Sequence, residues 1–435
     1  MGKSLFLFGE KMKPIFEILP IFIILINANL FAEKLSLEES LDIALKNNQE
    51  IYQAKEKIEE AKAKKRESFT SFLPAIGSSS TFTQLDAETK SYSVTLTDQE
   101  LYDLNLNLKQ PLFTGGKLSG LYRQAEEATK LAEENYRRIE IELIFKIGRA
   151  YYNVLKAEKM RAVSEEAVEQ IKAHLKVVEN FYKAGMVPKI DLLKAEVQLS
   201  DVKQKLVEAE NGLELAKASF NNLLNRTLSA SVELVDVVDY QKEKEFNLND
   251  CVERALKGRS ELKTQKIVSK MAEEGLGIVK SDYLPAISLI ANYDQRKGSE
   301  IPIDKWHDSW NAVIAFELDI WNWGRTKEKV RQAKSVINQN RDALSLLKDN
   351  IELEVKNAFL NLQAAEKKIL VVEKAVEQSR EGSRMTELRF KEGMATNTDV
   401  LDATTLQSQA ETNYYQALYD WYIAKADLKR AMGEK

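Results

Sequence analysis

The feature that most constrains this chain is that much of it is written twice. Leu37–Lys46 (LEESLDIALK) returns as Leu248–Lys257 (LNDCVERALK), and Phe72–Ile76 (FLPAI) returns as Tyr283–Ile287 (YLPAI), both displaced by 211 positions. Further along, Phe181–Met186 (FYKAGM) returns as Arg389–Met394 (RFKEGM), and Asp191–Leu193 as Asp399–Leu401, now displaced by 208. The three-residue change falls between Ile76 and Gly116, where a surface loop tolerates it. A repeat of this length means one structural unit used twice. The units are assigned to residues 33–224 and 247–435, joined by a segment at 225–246.

Within each unit the hydrophobic period changes. Tyr136, Ile139, Leu143, Ile147, Ala150 and Val154 follow 3-4 spacing, one stripe of a helix. Leu344, Leu347, Ile351, Val355, Ala358 and Leu362 repeat that register. Only seven Pro and 17 Gly punctuate the chain, so its regular elements must be long. The spacing predicts helices over 116–183 and 324–391, each on the order of 100 Å. Gly185 and Gly393 suit their ends, and returning helices are expected over 188–222 and 397–432. These are helical hairpins of coiled-coil type, over 116–224 and 324–432.

Two stretches break the helical rule. Leu alternates with Asn in Leu104–Leu108, and Trp310–Ile320 alternates apolar residues with mainly polar ones. Period two means strand. Partner strands are expected from Ala75 and Ala286, giving strand hairpins at about 75–113 and 286–321, with loops near 87–101 and 296–309. Trp306, Trp310, Trp321 and Trp323 bracket the last strand, as aromatic residues do at the two interfaces of an outer membrane. A small soluble sheet with core tryptophans fits the same period.

Other classes are excluded by what is missing. The net charge is −4 and Lys alternates with Glu, so there is no concentrated basic face for nucleic acid. A single Cys251 rules out an internal disulfide, and His174 and His307 form no ligand spacing. No nucleophile motif, phosphate loop or dinucleotide fingerprint occurs, so neither catalysis nor a metal or cofactor is expected. At the N-terminus Lys11 and Lys13 precede an apolar run, Ile15–Ile26, with small Ala32 before Glu33. Residues 1–32 read as a signal peptide, too short and wrongly flanked for a good membrane span. An uncleaved anchor is the other reading.

Four strands cannot close a barrel in lipid, because an open edge there leaves backbone groups unpaired. Closure requires several chains, and three copies give twelve strands around one axis. This organisation resembles the TolC-like outer-membrane efflux proteins over residues 35–433. Gln110–Gly116 (QPLFTGG) is similar to that family's strand-to-helix turn, and Leu73–Ala75, Leu284–Ala286 and the Ala-Leu-Lys segments at 44–46 and 255–257 are similar to other signatures. Most specific is Gly393 followed by Thr398–Ala403 (TDVLDA), which looks like the family's periplasmic hairpin tip. Gln49 departs from a common Pro, and Phe390 and Ala395 from positions that can be Tyr and Arg.

The resemblance implies a mainly α fold with a β-barrel part. It implies a homotrimer with a twelve-stranded barrel in outer-membrane lipid and a helical tunnel through the periplasm. A periplasmic adaptor (membrane fusion) protein and an inner-membrane transporter would complete an efflux or type I secretion system. A periplasmic coiled-coil adaptor without a barrel is the alternative. Gly185, Met186, Val187 and Pro188, with Gly393, Met394, Ala395 and Thr396, are then expected to contact the adaptor. Asp399 and Asp402, three residues apart, share one helix face. They are expected to form an acidic ring at the pore entrance, with Asp191 as an outer tip acid. Their mutual repulsion would raise some of their pKa values. The plainer reading is a solvated helix start, where acids favour the helix dipole.

Overall fold

The computed structural model describes residues 34–435 except 93, 237–239 and 241–245. The signal segment 1–32 therefore lies outside the described residues, as does part of 225–246. Each copy opens with two helices: α1 (Leu37–Asn47) and α2 (Gln49–Thr70), then α5 (Leu248–Gly258) and α6 (Ser260–Lys280). Local chemistry sets their starts. Ser36 caps α1 in a reciprocal box, its N–H donating to the Glu39 carboxylate at 2.8 Å. Asn48 ends α1 in extended conformation and caps α2 by accepting from Glu50 N–H. Gln49 is thus the first residue of α2, the position Pro favours, and the cap beside it makes Pro dispensable.

The strands β1 (Ala75–Gln84), β4 (Glu100–Phe113), β5 (Ala286–Lys297) and β6 (His307–Glu317) form one antiparallel sheet in the order β1-β4-β5-β6. Their register keeps both displacements: Ala75 faces Lys109 as Ala286 faces Glu317. The length change lies at the outer turns, 85–99 between β1 and β4 against 298–306 between β5 and β6. In the first copy that turn carries its own small hairpin, β2 (Thr89–Ser91) with β3 (Val94–Thr97), where the sequence reading expected a plain loop. β6 stops at Glu317, short of the expected Ile320. There Asp319 reaches forward to Arg325 at 2.8 Å, and Trp323 and Gly324 take positive φ of 54° and 81° to turn the chain into the next helix.

Four helices make the rest of the molecule: α3 (Lys117–Lys183), α4 (Lys189–Leu223), α7 (Arg325–Lys391) and α8 (Asn397–Ala431). α3 and α7 are 67 residues each and run from the sheet to the hairpin tips, about 100 Å. Near the sheet they pack with α2 and α6, in the order α2-α3-α6-α7; away from it the order is α4-α3-α8-α7. Both predicted stripes are buried at the middle. Leu143, Ile147 and Val154 pack with Ala44, Phe220 and Leu224. Ile351, Val355, Ala358 and Leu362 pack with Cys251, Ala255 and Leu428. The connecting segment is tied to the first of these cores: Leu35 bridges to Leu234, and the Tyr151 hydroxyl donates to the Val235 carbonyl at 2.6 Å.

Candidate functional site at the sheet and the hairpin tips

The sheet has two unlike faces. The register places Leu104, Leu106 and Leu108 on the same side of the sheet as Tyr293, Trp310 and Ile314. The other side carries polar side chains that bond to one another. Asn105 donates to Asp294 at 2.7 Å, Asn292 to Asn311 at 3.0 Å, and Arg296 to Asp103 at 3.2 Å. Leu106, Trp310, Ile314 and Phe316 on the apolar face are exposed, as are Trp306, Trp321 and Trp323 at the strand ends. Those tryptophans are not a core, so the soluble-sheet reading fails on burial. β1 and β6 end the sheet, each with one edge unpaired among the described residues. No helix among them is long and apolar enough to cross a membrane.

At the far end the hairpins turn in the same way twice. Gly185 and Gly393 both have φ +75°, which a side chain rarely adopts. Met186 N–H bonds to the Phe181 carbonyl and Met394 N–H to that of Arg389, each at 2.8 Å, satisfying the last carbonyls of α3 and α7. Met186 and Met394 point outward and are exposed; Val187 and Ala395 turn inward against Val178, Phe390 and Val400. Pro188 is the N-cap of α4 rather than its first residue, and Thr396 is the N-cap of α8.

Asp399 and Asp402 are both exposed on one face of α8. Asp399 also closes a capping box: Thr396 N–H and hydroxyl each donate to its carboxylate at 2.7 Å. These bonds, the backbone one foremost, hold its carboxyl below the usual carboxylate range. Within one chain that is opposite to the direction like-charge repulsion was expected to give. Asp191 lies across from them at the start of α4, and its carbonyl accepts from Asn397 Nδ2 at 3.1 Å.

Sequence reasoning missed a junction just above the tips. His174 of α3 is buried, its Nδ1 3.1 Å from Glu387 Oε2 of α7 and its Nε2 2.9 Å from Asn397 Oδ1 of α8. The ring lies 5.0 Å from that of Phe390. A signal for it was present: His174 continues the stripe Val163, Ala167, Ile171, Val178, where an apolar residue belongs. Farther from the tips, between α4 and α8, Lys194 donates to Thr398 and Gln198 to Thr405, at 3.3 Å each.

The family model for outer membrane efflux proteins matches residues 40–226 and 251–434, hence both copies of the repeat. The chain belongs to the outer membrane efflux protein family. It is 24% identical over 340 residues to outer membrane protein TolC of Escherichia coli, covering 76% of this chain and 69% of that one. The alkaline protease secretion protein AprF of Pseudomonas aeruginosa is 21% identical over 340 residues, with 76% and 69% covered. The fold is that of the CmeC outer membrane channel of Campylobacter jejuni: TM-score 0.81 at 19% identity, over 91% of this chain and 85% of that one. As an outer membrane efflux protein this chain is an exit duct of the outer membrane, serving efflux or secretion. The departures from the family's tip then acquire a physical reading. Phe390 lacks a hydroxyl because its place is apolar, packed on His174 and Phe181. Polar ties between the hairpins come from His174, Asn397, Lys194 and Gln198 instead.

Proposed function

We propose that three copies of the chain close a twelve-stranded barrel in the outer membrane, continued by a tunnel of twelve helices through the periplasm. The reading rests on one observation: the molecule is a strip with two open sides at every level. The sheet ends in the unpaired edges of β1 and β6. Away from the sheet the outermost helices are α4 and α7, and both leave apolar stripes uncovered. α7 exposes Leu346, Leu353 and Leu360 at seven-residue spacing, and α4 exposes Ile190, Leu193, Val197, Val207 and Leu215. Such stripes are seams awaiting a partner helix. A neighbouring copy laid edge to edge covers the strands and the helices together, which lipid requires of the strands. Residues 1–32 direct the chain to the periplasm and are removed.

In this reading the apolar sheet face meets lipid and the Asn-rich face lines a water-filled lumen. Met186 and Met394, with the glycine turns beside them, meet a periplasmic adaptor, and an inner-membrane transporter supplies the driving force. Threefold symmetry brings six carboxylates from Asp399 and Asp402 around the entrance, a ring that attracts cations. The capping box keeps Asp399 charged further into acid than repulsion alone would allow. Cross-linking the protein in mild detergent should trap trimers that conduct ions in planar bilayers. Monomers alone would overturn the reading. In such trimers, replacing Asp399 and Asp402 with Asn should weaken cation selectivity and block by trivalent cations. Ala395 is half-buried, so docking is better tested at exposed Met394. Met394→Glu should stop export while leaving trimers intact, and unchanged export would move the docking surface to the helix sides.

A further inference from the structure

We propose that His174 is a proton-operated clamp that joins the two hairpins just above their tips. The argument starts from Asn397, itself buried. Its Nδ2 donates to the main-chain carbonyl of Asp191 at 3.1 Å. A carbonyl only accepts, so this bond fixes the amide and leaves Oδ1, an acceptor, facing His174 Nε2 at 2.9 Å. On the other side of the ring Nδ1 faces a carboxylate oxygen of Glu387 at 3.1 Å, again an acceptor. Both ring nitrogens must therefore donate, and the ring that completes this arrangement is the imidazolium. When it loses one proton, a lone pair faces a lone pair, either in the buried contact with Asn397 or against the half-buried Glu387 carboxylate. One tie then breaks, either to α7 through Glu387 or to α8 through Asn397. Through Asn397, which also bonds to the Asp191 carbonyl, the clamp touches all four helices of the lower strip.

The charged groups around the ring come from each packed element. From α7 comes Glu387, whose second oxygen is 3.3 Å from Lys391 Nζ. His174 foremost among its neighbours holds the Glu387 carboxyl below the usual range. From α4 come Asp191, through its carbonyl, and Lys194, which bonds to Thr398. From α8 comes Asp399, its carboxylate turned to Thr396. On α3 itself the flanking Ile171 and Val178 are fully buried and bring no charge. The repeat counterpart of His174 is Gly382, so the clamp exists only between the copies, once per chain.

The consequence for conduction, looser hairpins once the ring gives up a proton, rests on the trimeric-duct reading; the clamp does not. The full-length protein in detergent, labelled with 15N-histidine, tests it. There are only two histidines, so His174→Gln assigns the signal. In a series from about pH 5 to pH 9, the His174 signal should show both ring nitrogens protonated where the hairpins are tied and one unprotonated where they have loosened. Amide-exchange protection of residues 174–178 and 400–404, corrected for intrinsic rates, should fall about tenfold over that range. Glu387→Gln should keep the clamp and flatten its pH response, because the Gln amide can turn an N–H to an unprotonated Nδ1. A neutral ring at the acid end, or an unaltered pH response in Glu387→Gln, overturns the proposal. Channel opening that rises with pH in the wild type and not in Glu387→Gln would extend it to the duct. Absence of conductance from every protein would sink the duct reading, while the ring's titration would still decide the clamp.

Discussion

In the first copy the helix that leaves the tip starts at Pro188, with no side-chain cap; in the second it starts at Thr396, inside a reciprocal box with Asp399. Tyr182 is exposed beside the first turn, whereas its counterpart Phe390 is buried beside the second. Lys172 and Lys203 are both exposed, while their counterparts Arg380 and Glu411 are joined at 2.7 Å with Glu411 buried. Towards the sheet the frame is shared: the buried stripes at the middle of α3 and α7 match, and the strand register is the same in both copies, although only the first carries the β2–β3 hairpin. Duplication fixed the frame and left the lower hairpins to diverge. The reason is geometric. In one strip the second hairpin's return helix, α8, is an inner helix packed on α3, while α4 is an outer one. Identical segments in unlike surroundings are under unlike constraints.

The largest effect should come from the tip aromatic pair. Phe390→Ala empties a buried site and should cost about 3–5 kcal/mol, whereas Tyr182→Ala should cost well under 1 kcal/mol. Thermal unfolding followed by circular dichroism reads both. Equal losses would mean the tips are not differentiated as described. Where the copies agree, paired substitutions should agree too. Leu106→Asp and its counterpart Ile314→Asp lie on the apolar face and should each impair membrane assembly, by up to about 2–4 kcal/mol depending on depth. Asn107→Asp, on the polar face, should assemble normally. Heat-modifiable trimer in the outer-membrane fraction is the readout, and a difference between Leu106→Asp and Ile314→Asp would break the equivalence of the strands.

How much of this was legible in the sequence follows the same division. The frame was readable because repeats, period two and 3-4 spacing are local signals: α3, α7 and the starts of β1 and β5 fell within a residue of their expected positions. The ends of elements set by contacts were not. β6 stops early because Asp319 and Trp323 redirect the chain, and the β2–β3 hairpin depends on pairing inside a loop without a strong turn signature. The tip residues were named, but their division into outward Met186 and Met394 and inward Val187 and Ala395 required packing. The junction at His174 was passed over because its partners are 213 and 223 positions away. No spacing rule reaches that far.

A smaller effect is expected from the ion pair that only the second copy has. Glu411 is buried and accepts from Arg380, which is itself more than half exposed and so remains solvated without it. Glu411→Gln should therefore cost about 1–2 kcal/mol, less than breaking a fully buried pair, and Lys203→Gln under about 0.5 kcal/mol. Unfolding midpoints at neutral pH compare the two. If both are silent, the pair is no different from other surface charges.

The smallest effect concerns the helix starts and is best seen through pH. Removing the cap hydroxyl with Thr396→Ala should destabilise α8 by about 1 kcal/mol, and Pro188→Ala should change α4 by a few tenths. The Asp399 carboxyl is depressed in the folded chain, mainly by the Thr396 backbone N–H and then by its hydroxyl. A depressed carboxyl contributes stability that is present above its unfolded value and is lost as pH falls through the folded one. The wild type should therefore lose stability in acid relative to Asp399→Asn, which has no carboxyl to protonate. Thr396→Ala should fall between them, because the backbone N–H bond survives while the hydroxyl bond does not. Stability measured from pH 6 down to pH 2 would show three graded curves. If Thr396→Ala follows Asp399→Asn, the hydroxyl rather than the backbone bond dominates the box. If the wild type and Asp399→Asn superimpose in acid, the box does not stabilise the folded state, and the contrast between the two helix starts has no energetic content.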